Sequence, residues 1–178
     1  MKFNLMKQSR YFHHSVFKIM IILLMTVNFC KADDSHNDQQ TMLSLHNKLR
    51  ALHHAPSLVW DDTLASFAES YASKCKFKHS GSSYGENLAA GYPTVSEAIN
   101  VWYAEQKYYS YGRPGFSYNT GHFTQLVWRG TQKIGCAYVA CNGNNGTPGN
   151  YLVCEYSPAG NISSRAYFSN NVLPRINS

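Results

Sequence analysis

An α+β fold, helices layered on a small antiparallel sheet, follows from three features of the 178-residue sequence. Apolar residues recur at helical spacing in three successive stretches. Two alternating segments around a Gly/Asn turn, Lys133–Cys141 and Asn150–Tyr156, read as a β-hairpin. Four cysteines remain once an amino-terminal leader is set aside, an even number that predicts two disulfides in an exported chain.

The leader is residues 1–32. Residues 1–18 carry Lys2, Lys7, Arg10 and Lys18 and no acid, and Ile19–Phe29 is an apolar run broken only by Thr26 and Asn28. Cys30-Lys31-Ala32 then places small residues before a cut after Ala32, the pattern of a secretory signal peptide. A start at Met6 or Met20 stays open, as does a signal anchor, although the run falls short of the ~20 residues that span a bilayer. The leader also holds most of the basic excess: the +6 of the whole chain becomes +1 beyond Ala32. A nucleic-acid partner inferred from overall charge is therefore excluded. Residues 33–178 contain no internal repeat and suit one domain with its own core.

Residues 33–40 are polar and read as a frayed tail. Met42, Leu45, Leu49 and Leu52 mark one face of a first helix that stops near His54, before Pro56, with His46 and His53 at the edge of that face. Ser57–Trp60 is extended. Asp61 or Asp62 caps a second helix with Leu64, Phe67, Ala68, Tyr71 and Cys75 on its stripe. Lys76–Ala90 reads as loop. Thr94 and Glu97 form a capping box opening a third helix, whose inward stripe is Ala98, Val101, Trp102 and Glu105. A carboxylate on an apolar stripe requires a partner, since burying a bare charge is costly. Tyr108–Asn119 is a Tyr- and Gly-rich loop, and Ser157–Ser178 reads as irregular.

Between loop and hairpin lies Gly121–Trp128. Thr120 is a candidate N-cap, Phe123, Leu126 and Val127 fall at i, i+3, i+4, and His122 sits at the rim of that stripe. Taken alone, such a stretch is a core helix with one hydrogen-bonded His. The four cysteines, Cys75, Cys136, Cys141 and Cys154, allow three pairings that spacing does not decide, and no Cys-x-x-Cys favours zinc.

Gly121–Trp128 followed by Ile134-Gly135-Cys136 resembles the first signature of the CAP superfamily, which groups cysteine-rich secretory proteins, antigen 5 and pathogenesis-related class 1 proteins. Tyr151–Ile162 resembles the second signature. His79-Ser80-Gly81 with Gly85–Ala89, and Val101–Glu105, are similar to two further motifs of the family, in the family's order. The resemblance implies a three-layer α-β-α sandwich with a mostly antiparallel sheet over residues 41–170, a tail at 171–178, and bridges Cys136–Cys154 and Cys75–Cys141. It also implies a cleft holding His79, Glu86, Glu105 and His122. Two imidazoles with carboxylates suit a divalent ion, zinc or magnesium, and a metal with an open position would support hydrolysis. Against that, each Glu orienting a His makes a metal-free buried network. No His-Glu-x-x-His motif is present, and Ser80 beside His79 is not a triad. No residue is assigned a catalytic role.

The loop carries a second idea. Tyr108, Tyr109, Tyr111, Phe116, Tyr118 and Phe123 crowd into a short stretch kept irregular by Gly112, Pro114 and Gly115. Rings with a wet phenol edge suit flat apolar ligands bearing one hydroxyl, although packing on the domain surface is the simpler use. Arg113–Phe123 and Tyr167–Pro174 are most similar to fungal Pry-type secreted proteins. That likeness implies binding of sterols, and of fatty acids, for lipid export or scavenging, with Tyr109, Tyr111, Phe116 and Tyr118 as contacts and only transient membrane contact. It implies a secreted, extracellular monomer that is not an enzyme. The alternatives are a metal-dependent hydrolase and a secreted defence or host-interaction effector. Glu155 departs from the second signature, where a smaller polar residue usually follows the Cys. Asn145-Gly146-Thr147 is the favoured N-glycan acceptor. Asn161-Ile162-Ser163 also matches, but its Asn is expected to bond the backbone.

Overall fold

The expected hairpin forms the centre of a four-stranded sheet in the computed structural model, which describes residues 37–176. The signal peptide read at residues 1–32 lies outside the described residues. Residues 37–51 are helical (α1). There follow β1 (Val59–Trp60), α2 (Asp62–Ala72), β2 (Gly85–Ala90), α3 (Val95–Ala104), α4 (Gly121–Leu126), β3 (Lys133–Ala140), β4 (Asn150–Ser157) and α5 (Arg165–Asn171). The strand order is β1-β3-β4-β2, with β1 parallel to β3 and the other neighbours antiparallel.

Strand alternation divides the core between the two faces of this sheet. Ile134 and Cys136 of β3, with Leu152, Cys154 and Tyr156 of β4, pack against Met42 and Leu49 of α1, Ile99 and Trp102 of α3, Phe123 and Leu126 of α4 and Phe168 of α5. The intervening residues, Ala137, Tyr151 and Val153, pack with Leu88 of β2 against Ala68 and Ala72 of α2. The result is the α-β-α sandwich. Gly135 makes the second layer possible: a Cβ there would lie 2.1 Å from the backbone nitrogen of Ala65, so α2 rests directly on the strand. Cys136 and Cys154 face each other across the hairpin and are bridged, and a second disulfide joins Cys75 to Cys141.

Local chemistry accounts for the helix starts that were foreseen. Asp61 accepts from the backbone of Thr63 and Leu64, and Thr94 accepts from Glu97, so α2 and α3 are capped by short polar side chains. Other expectations are corrected. Residues 37–40 are helical, not frayed. Gly85–Ala90, read as loop, is the edge strand β2; Glu-Asn-Leu-Ala-Ala has little β propensity, and pairing along β4 imposes the conformation. The end of the chain is not irregular: α5 buries Phe168, Val172 is buried, and Ile176 N–H donates to Leu52 C=O. On α3 the inward stripe is Val95, Ala98, Ile99 and Trp102, while Val101 faces solvent. Phe67 is also exposed.

His46 and His53 are fully buried, not at the edge of the α1 face. His46 Nδ1–H donates to Met42 C=O, so its Nε2 accepts from Tyr156 OH. Burial in this apolar setting lowers its pKa to about 4. His53 repeats the arrangement between Leu173 C=O and the Tyr103 hydroxyl, which ties the C-terminal segment to α1.

Candidate functional site

The short helix α4 carries His122, and polar groups from distant parts of the chain hold both of its ends. Thr120 does not cap it with its side chain; the Thr120 hydroxyl donates to Ser117 C=O. Glu105, seventeen residues upstream of His122, takes that role. Its Oε2 accepts from the N–H groups of His122 at 3.0 Å and Phe123 at 3.1 Å, and its Oε1 meets His122 Nδ1 at 2.6 Å. A carboxylate belongs at this end, where unpaired N–H groups and the helix dipole favour negative charge. The carboxylate on an apolar stripe thus has its partners.

At the other end of α4 stands Arg50. Its guanidinium is fully buried and donates to the carbonyls of Leu126, Trp128, Thr131 and Pro56, each at 2.9 Å. Burial lowers its pKa to about 10, which still leaves it cationic at neutral pH. Gln125, also buried, accepts from Gly160 N–H at 2.9 Å and fills the space beside Gly85, where a Cβ would fall 2.1 Å from its Oε1. Asn161 donates to Gly121 C=O and accepts from Thr124, as its reading as a backbone-bonding Asn anticipates. Arg50, Gln125 and Asn87 were missed by sequence reasoning. The available signal for Arg50 was a cation on α1 with no acid three or four residues away.

His79 and Glu86 form a second pair, Nδ1 to Oε1 at 2.6 Å, with the Glu86 carboxylate also accepting from Ser80 N–H. Beside them lies a polar cavity of about 260 Å³ lined by His79, Ser80, Tyr84, Glu86, Gln125 and Asn161 among others. Glu86 faces Glu155 across β2 and β4. Glu155 is fully buried, and neither carboxyl oxygen has a well-formed hydrogen bond. Burial first, then the Glu86 oxygens, push its pKa up to about 9, so at neutral pH it is a neutral acid able to donate its proton toward Glu86. For Glu86, burial alone would raise the pKa, but hydrogen bonds from His79 and Ser80, with the Glu155 acid nearby, outweigh it and hold the carboxyl below its ordinary value. The same bond raises the His79 pKa. The departure at Glu155 therefore places a protonated acid, not a second negative charge, next to this pair.

The structure joins the four expected cleft residues as two pairs. Consecutive residues of β2 point to opposite faces: Glu86 toward Glu155, and Asn87 toward α4, where it donates to His122 C=O and to Tyr156 OH. Among the described residues no group of three or more His, Cys, Asp or Glu is placed to hold a metal ion. In each pair the Nδ1 faces carboxylate, and both carboxylates are engaged by backbone N–H groups. The residues do not fit a site in which the protein supplies three ligands, and no chemical step is drawn through a metal. Ser80 presents its N–H, not its hydroxyl, to Glu86.

Glu105 and His122 also close the aromatic loop between them, fastening its two ends to each other. Within the loop the rings divide into two sets. Tyr109 and Tyr111 pack edge to face on each other, 5.0 Å between centroids, against the core beside Phe123. Their hydroxyls are buried without a well-formed hydrogen bond, lying near the Gly115 backbone and the Gln106 side chain. Burial pushes the Tyr109 phenol up to about 12. Phe116 and Tyr118 also pack edge to face but project outward, 49% and 91% exposed. A cavity of about 330 Å³ opens among Tyr108, Tyr109, Arg113, Phe116 and Thr120; Tyr111 and Tyr118 do not line it. Asn145, in the hairpin turn, is exposed and donates to Lys74 C=O, while Thr147 of the same triplet is buried against Cys75 C=O.

The sequence pattern of the cysteine-rich secretory protein family, CAP, matches residues 43–156. Protein PRY2 of Saccharomyces cerevisiae is 45% identical over 139 residues, covering 75% of this chain and 40% of that protein. Secreted protein RBT4 of Candida albicans is 42% identical over 150 residues, again 75% of this chain and 40% of the other. The match thus spans about two fifths of these relatives. Two solved structures are similar in fold. Venom allergen-like protein 4 of Schistosoma mansoni gives a TM-score of 0.60 at 27% identity, over 72% of this chain and 92% of that one. NaASP2 with Zn2+ gives 0.61 at 26% identity, over 79% and 86%.

Proposed function

The chain belongs to the cysteine-rich secretory protein family, and within that family we propose that it is an extracellular binder of sterols and related small lipids. The observation that carries this reading is the aromatic loop. Its cavity of about 330 Å³ lies between an exposed ring, Phe116, and a half-buried one, Tyr109, whose hydroxyl lacks a well-formed bond. An apolar ligand suits this cavity, since its body covers the exposed surface of Phe116 and packs beside Tyr109. Burying a ring such as Phe116 is worth about 1.5–3 kcal/mol, enough to matter to a weak or moderate lipid affinity.

Binding, not turnover, is the activity proposed. Secretion is part of the reading, supported by the leader pattern at residues 1–32 and by the name of RBT4. The test is equilibrium binding of radiolabelled cholesterol and cholesteryl acetate to the purified protein. Saturable binding of either is the expected result, and absence of both removes the sterol reading.

A further inference from the structure

The loop's exposed rings lie in a part of the chain that shows solvent no acidic side chain. From Gln106 to the C-terminus there are six Lys and Arg residues and one acid, Glu155. Glu155 is fully buried in the sheet. Three of the cations gather on the loop. Arg113 lines the cavity with Tyr108 and Phe116, the Lys107 ammonium lies 4.9 Å from the centre of the Tyr108 ring, and Arg165 donates to Gly112 C=O at 3.4 Å. All three are exposed, and among the described residues none pairs with a carboxylate. Glu105, at the root of the loop, is turned to His122 and the start of α4.

We propose that this face docks on an anionic lipid bilayer, with Tyr108, Phe116 and Tyr118 entering the interfacial layer and Lys107, Arg113 and Arg165 meeting the lipid headgroups. Tyr and Phe rings favour the boundary between water and hydrocarbon. Cations set around such rings add attraction to a negative surface, and the two terms together hold a protein reversibly. A nucleic acid would use the same charges but needs open ring faces as stacking platforms. Phe116 and Tyr118 instead stand edge to face at 77°. An acidic globular partner gives no reason for a ring that is 91% exposed at the loop's tip.

The proposal rests on the lipid reading of the loop for its purpose, yet the two fail separately, because docking is measured on vesicles without sterol. The protein is sedimented with phosphatidylcholine vesicles with and without phosphatidylserine, at low and high salt. Expected is binding to the anionic vesicles alone, weakened by salt. Lys107→Gln with Arg113→Gln should lower that binding about fivefold per charge, and Tyr118→Ala should lower it at every salt concentration. The two charge changes are at exposed positions, so an unchanged Tm accompanies them. Equal binding to neutral vesicles, no binding to either, or full binding by the double variant overturns the proposal. Retention on a DNA duplex without retention on anionic vesicles overturns it in favour of a different polyanion. Soluble sterol binding measured beside it reports on the lipid reading alone.

Discussion

The Glu105–His122 clasp and the loop it closes are adjacent in the chain and opposite in their use of polar groups. In the clasp two N–H groups and the His122 Nδ1 meet one carboxylate, and the carbonyls of Pro56, Leu126, Trp128 and Thr131 meet one guanidinium. In the loop two phenol hydroxyls are buried without a good bond and two rings stand in solvent. A fully satisfied network fixes geometry but offers little to a ligand. A surface with exposed apolar rings gains from being covered. In the function proposed, Glu105 and His122 act as a frame, and the loop they hold is the binding surface.

That contrast is open to experiment. Arg50→Met gives the largest effect expected. It removes the guanidinium from the buried carbonyls of Leu126, Trp128 and Thr131 and should destabilise the protein by about 3–5 kcal/mol in chemical denaturation. Glu105→Gln comes next. It retains the shape but weakens three charge-assisted bonds, for a loss of about 1–3 kcal/mol and a secondary fall in sterol affinity as the loop slackens. If Glu105→Gln left stability untouched, the clasp would not be a frame. Phe116→Ala should do the reverse: stability within about 0.5 kcal/mol of the wild type, and sterol affinity down about tenfold or more.

A further prediction concerns pH. The Glu155 pKa rises to about 9 in the folded protein from 4.5. Across that window the folded state keeps a proton that the unfolded state has released. Stability from this group therefore falls as pH rises from 4.5 to about 9. Glu155→Gln should flatten that slope, seen as Tm against pH, and raise Tm most at the alkaline end. An unchanged slope would place the acid pair outside the stability of the sheet.

Much of the frame was legible in the sequence, where local rules operate. The capping box at Thr94 and Glu97, the Asp61 cap, the hairpin and the Phe123–Leu126–Val127 stripe each depend on residues a few positions apart. What escaped depends on contacts between distant residues. Glu105 caps α4 from across the loop, so the nearby Thr120 attracted the assignment. Arg50 went unread and His46 and His53 were placed at the edge of the α1 face because polar residues rarely bury without partners, and their partners come from β4, α4 and the C-terminal segment. Strand β2 is extended only because β4 lies beside it. Of the four loop rings read as contacts, Tyr109 and Phe116 line the cavity, whereas Tyr111 turns to the core and Tyr118 to solvent, a division that spacing in an irregular loop does not encode.

The most direct measurement compares cholesterol binding by wild type and by a Phe116→Ala, Tyr118→Ala double variant, with Tm recorded for both. Both rings are exposed in the free protein. The predicted result is an unchanged Tm with cholesterol binding lost or reduced at least tenfold. An unchanged Tm with unchanged binding would contradict the assignment of the loop as the lipid site.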